Sequence, residues 1–233
     1  MVKTMKEKDY QEKIDSLFDK WIDEYQKEDK KSFVKDGVPF PEYYFSNTPR
    51  ILFVLKDPND PKANFESSQL GSYHDFGEFK GDDWHNGMKQ RIAAMYKGLS
   101  KRTDLKDEDA IKNIAFMNLK KTGGTNNVCS RLIAKYASND RDNILEEISI
   151  INPEYIVCGG CCVQFIKQIV LGLPIDYRGR WRKGIEKIGA YTYIWKEHDI
   201  KIIDMYHPSY TRKGYASKER YVAEFKRRVS DVM

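Results

Sequence analysis

Three apolar runs, each broken by a polar residue capable of chemistry, restrict this chain more than any other feature. Arg50-Ile51-Leu52-Phe53-Val54-Leu55-Lys56-Asp57-Pro58-Asn59 begins with an unbroken apolar stretch. A continuous run of strand length, rather than an alternating one, reads as a strand buried on both faces, hence as part of a parallel sheet covered by helices. Pro58 has no N–H to give a central strand and biases Asp57 towards extended backbone, which leaves one carboxylate at the carboxyl end of a strand. Ile114-Ala115-Phe116-Met117-Asn118 repeats the pattern and ends in an amide, with Lys120, Lys121 and Thr122 behind it. Ile202-Ile203-Asp204-Met205-Tyr206-His207-Pro208-Ser209 ends in an imidazole. In open α/β sheets the ligand crevice lies outside the carboxyl ends of the strands, so Asp57, Asn118 and His207 are expected on one rim.

The remaining periodicity supplies the helices that such a sheet needs. Tyr10, Ile14, Leu17, Phe18, Trp21 and Tyr25 recur at helical spacing among Lys, Glu and Asp, which predicts an N-terminal amphipathic helix. Met88, Ile92, Met95 and Leu99 mark a second helix, read as starting near Trp84, and Ile144, Leu145, Ile148 and Ile151 another, stopped by Pro153. Tyr155 to Gly159 reads as a strand followed by a helix to Val170, and Tyr221, Val222, Phe225 and Val229 as the buried stripe of a C-terminal helix. Tyr191 to Trp195 and Lys201 to Tyr206 read as a hairpin bent at His198-Asp199, its second strand in the main sheet. Residues 173–189 read as irregular and basic, and Lys27 to Lys35 as a charged connector. The expectation is a single α/β domain over residues 1–233, with a mainly parallel four-stranded sheet and helices on both faces.

At 233 residues the chain can bury a substantial core in one domain. Its net charge of +5 permits a nucleic-acid partner without demanding one. No stretch approaches the roughly 18 apolar residues that span a bilayer, so no membrane partner is expected. Met1 to Asp9 is charged with no apolar segment behind it, which reads as no secretory leader and as a cytoplasmic chain. Cys129, Cys158, Cys161 and Cys162 are read as structural thiols of a reducing compartment; the CxxC pair leaves a metal or iron–sulfur site conceivable, but no cofactor or metal is expected. A monomer is expected.

Two stretches have no periodicity. Asp60 to Asp83 is long, glycine-containing and aromatic, with Phe65, Tyr73 and Phe76 among its rings. Connections of this length within a domain are usually functional or disordered. Thr122-Gly123-Gly124-Thr125-Asn126-Asn127 is a polar glycine turn; it lacks the spacing of a dinucleotide fingerprint and the lysine of a P-loop, which ranks a nucleotide-binding protein low.

Lys56-Asp57-Pro58-Asn59, then Phe116-Met117-Asn118 with Thr122 beyond it, then His207-Pro208-Ser209, in this order and each after a strand, resembles the uracil-DNA glycosylase superfamily. The resemblance spans Arg50 to Ser209 and leaves the N-terminal helix and the long loop outside it. It implies that Asp57 positions water and stabilises a cationic sugar. It implies that Asn118 hydrogen-bonds the edge of a flipped base, and that His207 donates to the base oxygen as negative charge builds there. Ser209 would touch a phosphate, and the loop after it would enter the duplex. This chain departs from the family's best-studied branch in three places: Asn59 stands where a tyrosine follows the Asp-Pro, Lys56 where a glutamine precedes it, and Tyr210 where a second proline follows His-Pro-Ser. The base is therefore left open between uracil and another deaminated or modified base.

The chemistry needs these residue types. Dissociative cleavage of an N-glycosidic bond creates a positive sugar and a negative base, and a fixed carboxylate and a fixed donor oppose those charges where they form. An amide presents a donor and an acceptor side by side, which suits base reading. Catalysis is assigned to Asp57 and His207. Base binding is assigned to Asn118, Asn59, Phe65, Tyr73 and Phe76, the rings by stacking. DNA contact is assigned to Lys56, Ser209, Tyr210, Arg212, Lys213 and Thr122, by sequence-independent neutralisation and hydrogen bonding of phosphates. Alternation along the strand is expected to turn Lys56 away from Asp57, so water rather than a lysine is the expected nucleophile. The rival expectation is a nucleic-acid-binding member of the same fold without turnover.

Overall fold

The computed structural model describes residues 7–25, 33–58, 86–123, 130–172, 185–209 and 217–230. Within them the elements are α1 (Glu7–Glu24), α2 (Pro41–Tyr44), β1 (Ile51–Leu55), α3 (Asn86–Ser100), α4 (Asp107–Ile111), β2 (Ile114–Asn118), α5 (Ser130–Asn139) and α6 (Arg141–Ile151). They continue with β3 (Tyr155–Gly159), α7 (Cys162–Leu171), β4 (Ile185–Lys187), β5 (Thr192–Trp195), β6 (Ile200–Met205) and α8 (Lys218–Val229).

The strands form one six-stranded sheet in the order β2-β1-β3-β6-β5-β4. β2, β1, β3 and β6 run parallel, with Leu55 opposite Asn118 and Val54 opposite Cys158. β5 pairs antiparallel with β6, and β4 antiparallel with β5. The expected parallel set is therefore present, but the four-stranded sheet is corrected to a six-stranded mixed one. The hairpin forms where expected, with Asp199 at φ 51 in its turn, and brings both its strands into the sheet. β4 was read as irregular because it is short and carries Glu186 and Lys187. Charge on an edge strand discourages further pairing and hides the strand from an apolar-run reading.

Strict alternation divides the core in two. Leu52, Val54, Ala115, Met117, Ile156 and Ile202 face a layer made by α1, α5, α6 and α7. Ile51, Phe53, Ile114, Phe116, Val157 and Ile203 face α3, α4 and α8. Helices thus cover both faces. The stripe on α1 is buried as its spacing predicts, and α6 stops at Asn152, which takes the left-handed conformation (φ 49) just before Pro153.

The connection from β1 to β2 runs through α3 and α4 on one face, whereas the chain leaves β3 into α7 on the other. β1 and β3 are neighbours, so the topological switch point, where doubly wound sheets place their ligand crevice, falls between their carboxyl ends.

One segment changes the reading of β2. Residues 33–38 lie along its outer edge: Gly37 and Phe116 exchange backbone hydrogen bonds of 2.8 Å in both directions, and Val34 N–H donates to the Lys121 carbonyl at 2.6 Å. Residues 33–35, expected as the end of a charged connector, thus belong with 36–38 to a segment that lines the sheet edge.

Candidate active site

Asp57 leaves the sheet at the switch point. Leu119 and Lys120 N–H donate to the carbonyls of Leu55 and Lys56, which carries the β1–β2 pairing up to the residue before it. Pro58 is buried behind it. Burial pushes the Asp57 carboxyl above the ordinary aspartate range, against the pull of Lys120 and Lys56. Its Oδ2 is buried and meets no hydrogen-bond partner among the described residues. Buried carboxylate oxygens are normally satisfied, so an orphan at a crevice points to a donor that arrives with ligand or water.

Next along the edge, β3 ends in Gly159 and Gly160. Gly160 takes φ +71, which glycine adopts without strain, and its N–H donates 2.8 Å to the Met205 carbonyl. The strand between β1 and β6 therefore brings no side chain to the rim.

His207 follows β6. The Ser209 N–H donates to His207 Nδ1 at 3.2 Å, and Ser209 Oγ lies 2.7 Å from the same nitrogen. A backbone N–H only donates, so Nδ1 is the acceptor nitrogen and the neutral ring carries its proton on Nε2. Burial, and then the Lys56 ammonium, lower the His207 pKa from 6.5 to about 4. The imidazole is thus a neutral N–H donor at neutral pH. The expected result of an NMR titration is a His207 ring that stays neutral from pH 8 down to about 5 and protonates only near 4; titration near 6.5 would overturn the assignment. A folded-state value below the unfolded one also means that this group's contribution to stability is present above pH 6.5 and is lost as pH falls towards 4.

Lys56 acts on both groups, and its Cε lies 4.0 Å from where a Cβ on Gly160 would stand. The alternation behind the expectation for Lys56 does not reach it: β1 has ended at Leu55, the backbone bends at Lys56 and Asp57, and a period of two no longer applies.

Asn118 ends β2 on the same edge but is only 2 % exposed. Its N–H donates 2.6 Å and its Nδ2 3.2 Å to Asp36 Oδ2. An ionised carboxylate only accepts, so the amide nitrogen must be the atom facing Asp36. Asp36 also pairs through Oδ1 with Lys121 Nζ, and Glu147 Oε2 lies 2.7 Å from the same ammonium, off the direction of a hydrogen bond. All three of these side chains are fully buried, and the Lys121 ammonium sits 5.1 Å from the Trp21 ring centre and 5.6 Å from that of Phe18. Burial raises Glu147 well above the glutamate range; the same burial lowers Lys121, but its two carboxylates outweigh it and the net shift is upward. Asp36 and Glu147 were missed in the sequence. The available signal was Asp36-Gly37 between Val34 and Val38, an apolar frame out of place in a solvated connector.

Thr122 is also buried, bridged to Phe33, so its hydroxyl does not meet a phosphate from this position. Lys120 Nζ donates to the carbonyls of Thr122 and Gly123 at 2.6 and 2.7 Å and ties down the start of the glycine turn. Ser209 is exposed. Asn59, Phe65, Tyr73, Phe76, Tyr210, Arg212 and Lys213 lie outside the described residues, as do Trp84 and Cys129. Cys158 and Cys162 are buried, with their thiols pushed up by burial, and Cys161 is partly exposed. Among the described residues no group of three His, Cys, Asp or Glu is placed to hold a metal, and no helix is long and apolar enough to cross a membrane.

Comparison with models of known protein families finds no match, and neither does comparison with characterised proteins.

Proposed function

We propose that the protein is a DNA glycosylase-like hydrolase of the uracil-DNA glycosylase superfamily. It cleaves the N-glycosidic bond of a flipped uracil, or of another deaminated or modified base, with water as nucleophile. One observation carries the reading: a half-buried carboxylate with an orphan oxygen and a neutral imidazole with its proton on Nε2 flank the switch point, one strand apart on either side of β3. Two strand spacings are roughly 10 Å. With contacts of about 3 Å at each end, that span accommodates a sugar carbon and the oxygen of the base it carries.

In this reading the bond from the sugar carbon to the base nitrogen breaks with its electron pair moving onto the base. Asp57 faces the cation that remains and directs a water to it. The water oxygen bonds to the sugar carbon, and its proton passes to Asp57 and then to solvent. His207 Nε2–H hydrogen-bonds the base oxygen as it becomes anionic. A neutral donor suits a place beside Lys56, where a second cation would be repelled. Asn118 reads the base edge, Asn59, Phe65, Tyr73 and Phe76 complete the pocket, and Lys56, Ser209, Tyr210, Arg212 and Lys213 hold DNA as a monomer in the cytoplasm.

Incubation with duplexes carrying uracil or another deaminated base is the direct test. The expected products are free base and an alkali-labile site. The burial of Asn118 against Asp36 favours one alternative, a DNA-binding member of the same fold that does not turn over. Tight binding without base release across a broad panel of substrates would establish that alternative instead.

A further inference from the structure

The loop that carries His207 is held by side chains that take no part in the proposed chemistry. Tyr206 and Pro208 flank the imidazole, and each offers its carbonyl to a different helix. Tyr221 of α8, fully buried, donates its hydroxyl to the Tyr206 carbonyl at 2.6 Å. Arg91 of α3, 5 % exposed, donates Nη1 to the Pro208 carbonyl at 2.7 Å. The two donors also touch one another, because the Arg91 guanidinium lies 5.1 Å from the centre of the Tyr221 ring. On the near side, the Met205 carbonyl accepts from Gly160 N–H and the Asp204 carbonyl from Arg228 Nη1. The carbonyls of residues 204, 205, 206 and 208 are thus all engaged from outside the loop.

A guanidinium is a costly group to bury, and a contact between two helices needs only apolar side chains. Arg91 directs one of its N–H groups at a carbonyl directly after the imidazole. A charge-assisted bond there, and a phenol directly before it, define the height and tilt of the residue between them.

We infer that Arg91 and Tyr221 are positioning residues for His207, acting as a two-sided clamp that fixes the direction of its Nε2–H. Rotation of the loop would swing the ring, expose it to water and break the Ser209 N–H bond to Nδ1 that sets the tautomer. The kinetic consequence rests on His207 being the donor to the leaving base; the structural consequence does not.

The test uses the full chain with Tyr221→Phe, which removes one hydroxyl and keeps the ring, together with Arg91→Met and Arg91→Lys. Thermal melts establish that each variant folds, and NMR then follows the His207 ring. In Tyr221→Phe and Arg91→Met the imidazole shifts should move, and its pKa should rise from about 4 towards 6.5 as water reaches it. On a substrate that the wild type turns over, kcat should fall by roughly 10- to 100-fold, as expected for a misplaced group, with KM little changed. Arg91→Lys, which keeps a donor, should recover part of both. Unchanged shifts and pKa in folded Tyr221→Phe would overturn the clamp. A moved pKa in a protein whose wild type releases no base would uphold the clamp and overturn the glycosylase reading. Should Arg91→Met fail to fold, Tyr221→Phe alone decides.

Discussion

Asp57→Ala is expected to lower the rate of base release by about 10²–10³, the usual worth of one well-aimed electrostatic group, while leaving DNA affinity almost unchanged. The selectivity follows from where the charge acts. Bound substrate is not cationic, so the carboxylate gains its interaction only as the sugar becomes positive, and its loss appears in kcat rather than in binding. Asp57→Asn separates shape from charge and should be nearly as slow. Its effect on stability has the opposite sign. Burial raises the Asp57 pKa, so the folded state holds the proton more tightly than the unfolded chain does, and stability falls as pH rises through that window. Above it the ionised carboxylate is a burden on the fold, and the asparagine variant should melt no lower than wild type at neutral pH. A slow variant with a raised or equal Tm is the signature of strain kept for function. Single-turnover rates, a binding isotherm and a melt decide it; full activity in Asp57→Ala would remove Asp57 from the chemistry.

The second large effect concerns Lys121. Lys121→Met leaves the Asp36 carboxylate buried without its cation, beside Glu147, and breaking a buried ion pair from one side typically costs about 3–5 kcal/mol. Glu147→Gln should behave differently. Burial holds Glu147 well above its ordinary 4.5, so the folded state keeps a proton that the unfolded chain releases. Its contribution to stability is therefore largest at low pH and falls as pH rises from 4.5 towards the folded-state value. Removing the ionisable group should flatten that fall and leave stability at pH 8 close to wild type. Urea titrations of both variants at pH 5 and pH 8 provide the measurement. A Lys121→Met protein as stable as wild type, or a Glu147→Gln protein as damaged as Lys121→Met, would show that the three groups do not share charge in this way.

The rim was legible because it is written locally. Ile51 to Leu55, Ile114 to Met117 and the Ile202-Ile203 centre of the last strand announce buried strands by their own composition, and a residue one or two places past each strand's last apolar residue must fall near its carboxyl end. The hairpin around His198-Asp199 and the stripe of α1 were legible for the same reason. What escaped depends on partners distant in sequence. Asp36 lies just past the charged connector, and although Val34 and Val38 frame it, its partner Asn118 is 82 residues away. Arg91 and Tyr221 look like ordinary helix residues until both helices meet the same loop. The orientation of Lys56 is not readable from alternation, because the strand ends one residue before it.

Gly159 gives the most economical statement of how the rim is built. A Cβ at this position would stand 3.0 Å from Leu55 Cδ2, 3.5 Å from the Val54 carbonyl and 3.6 Å from His207 Cα. The two backbone distances are ordinary van der Waals contacts; the tight one is to the tip of the Leu55 side chain, which an alanine here would require to give by a few tenths of an ångström. The floor between the two reactive groups is thus bare backbone, laid at van der Waals distance from both arms by the one parallel strand that brings no side chain to the rim.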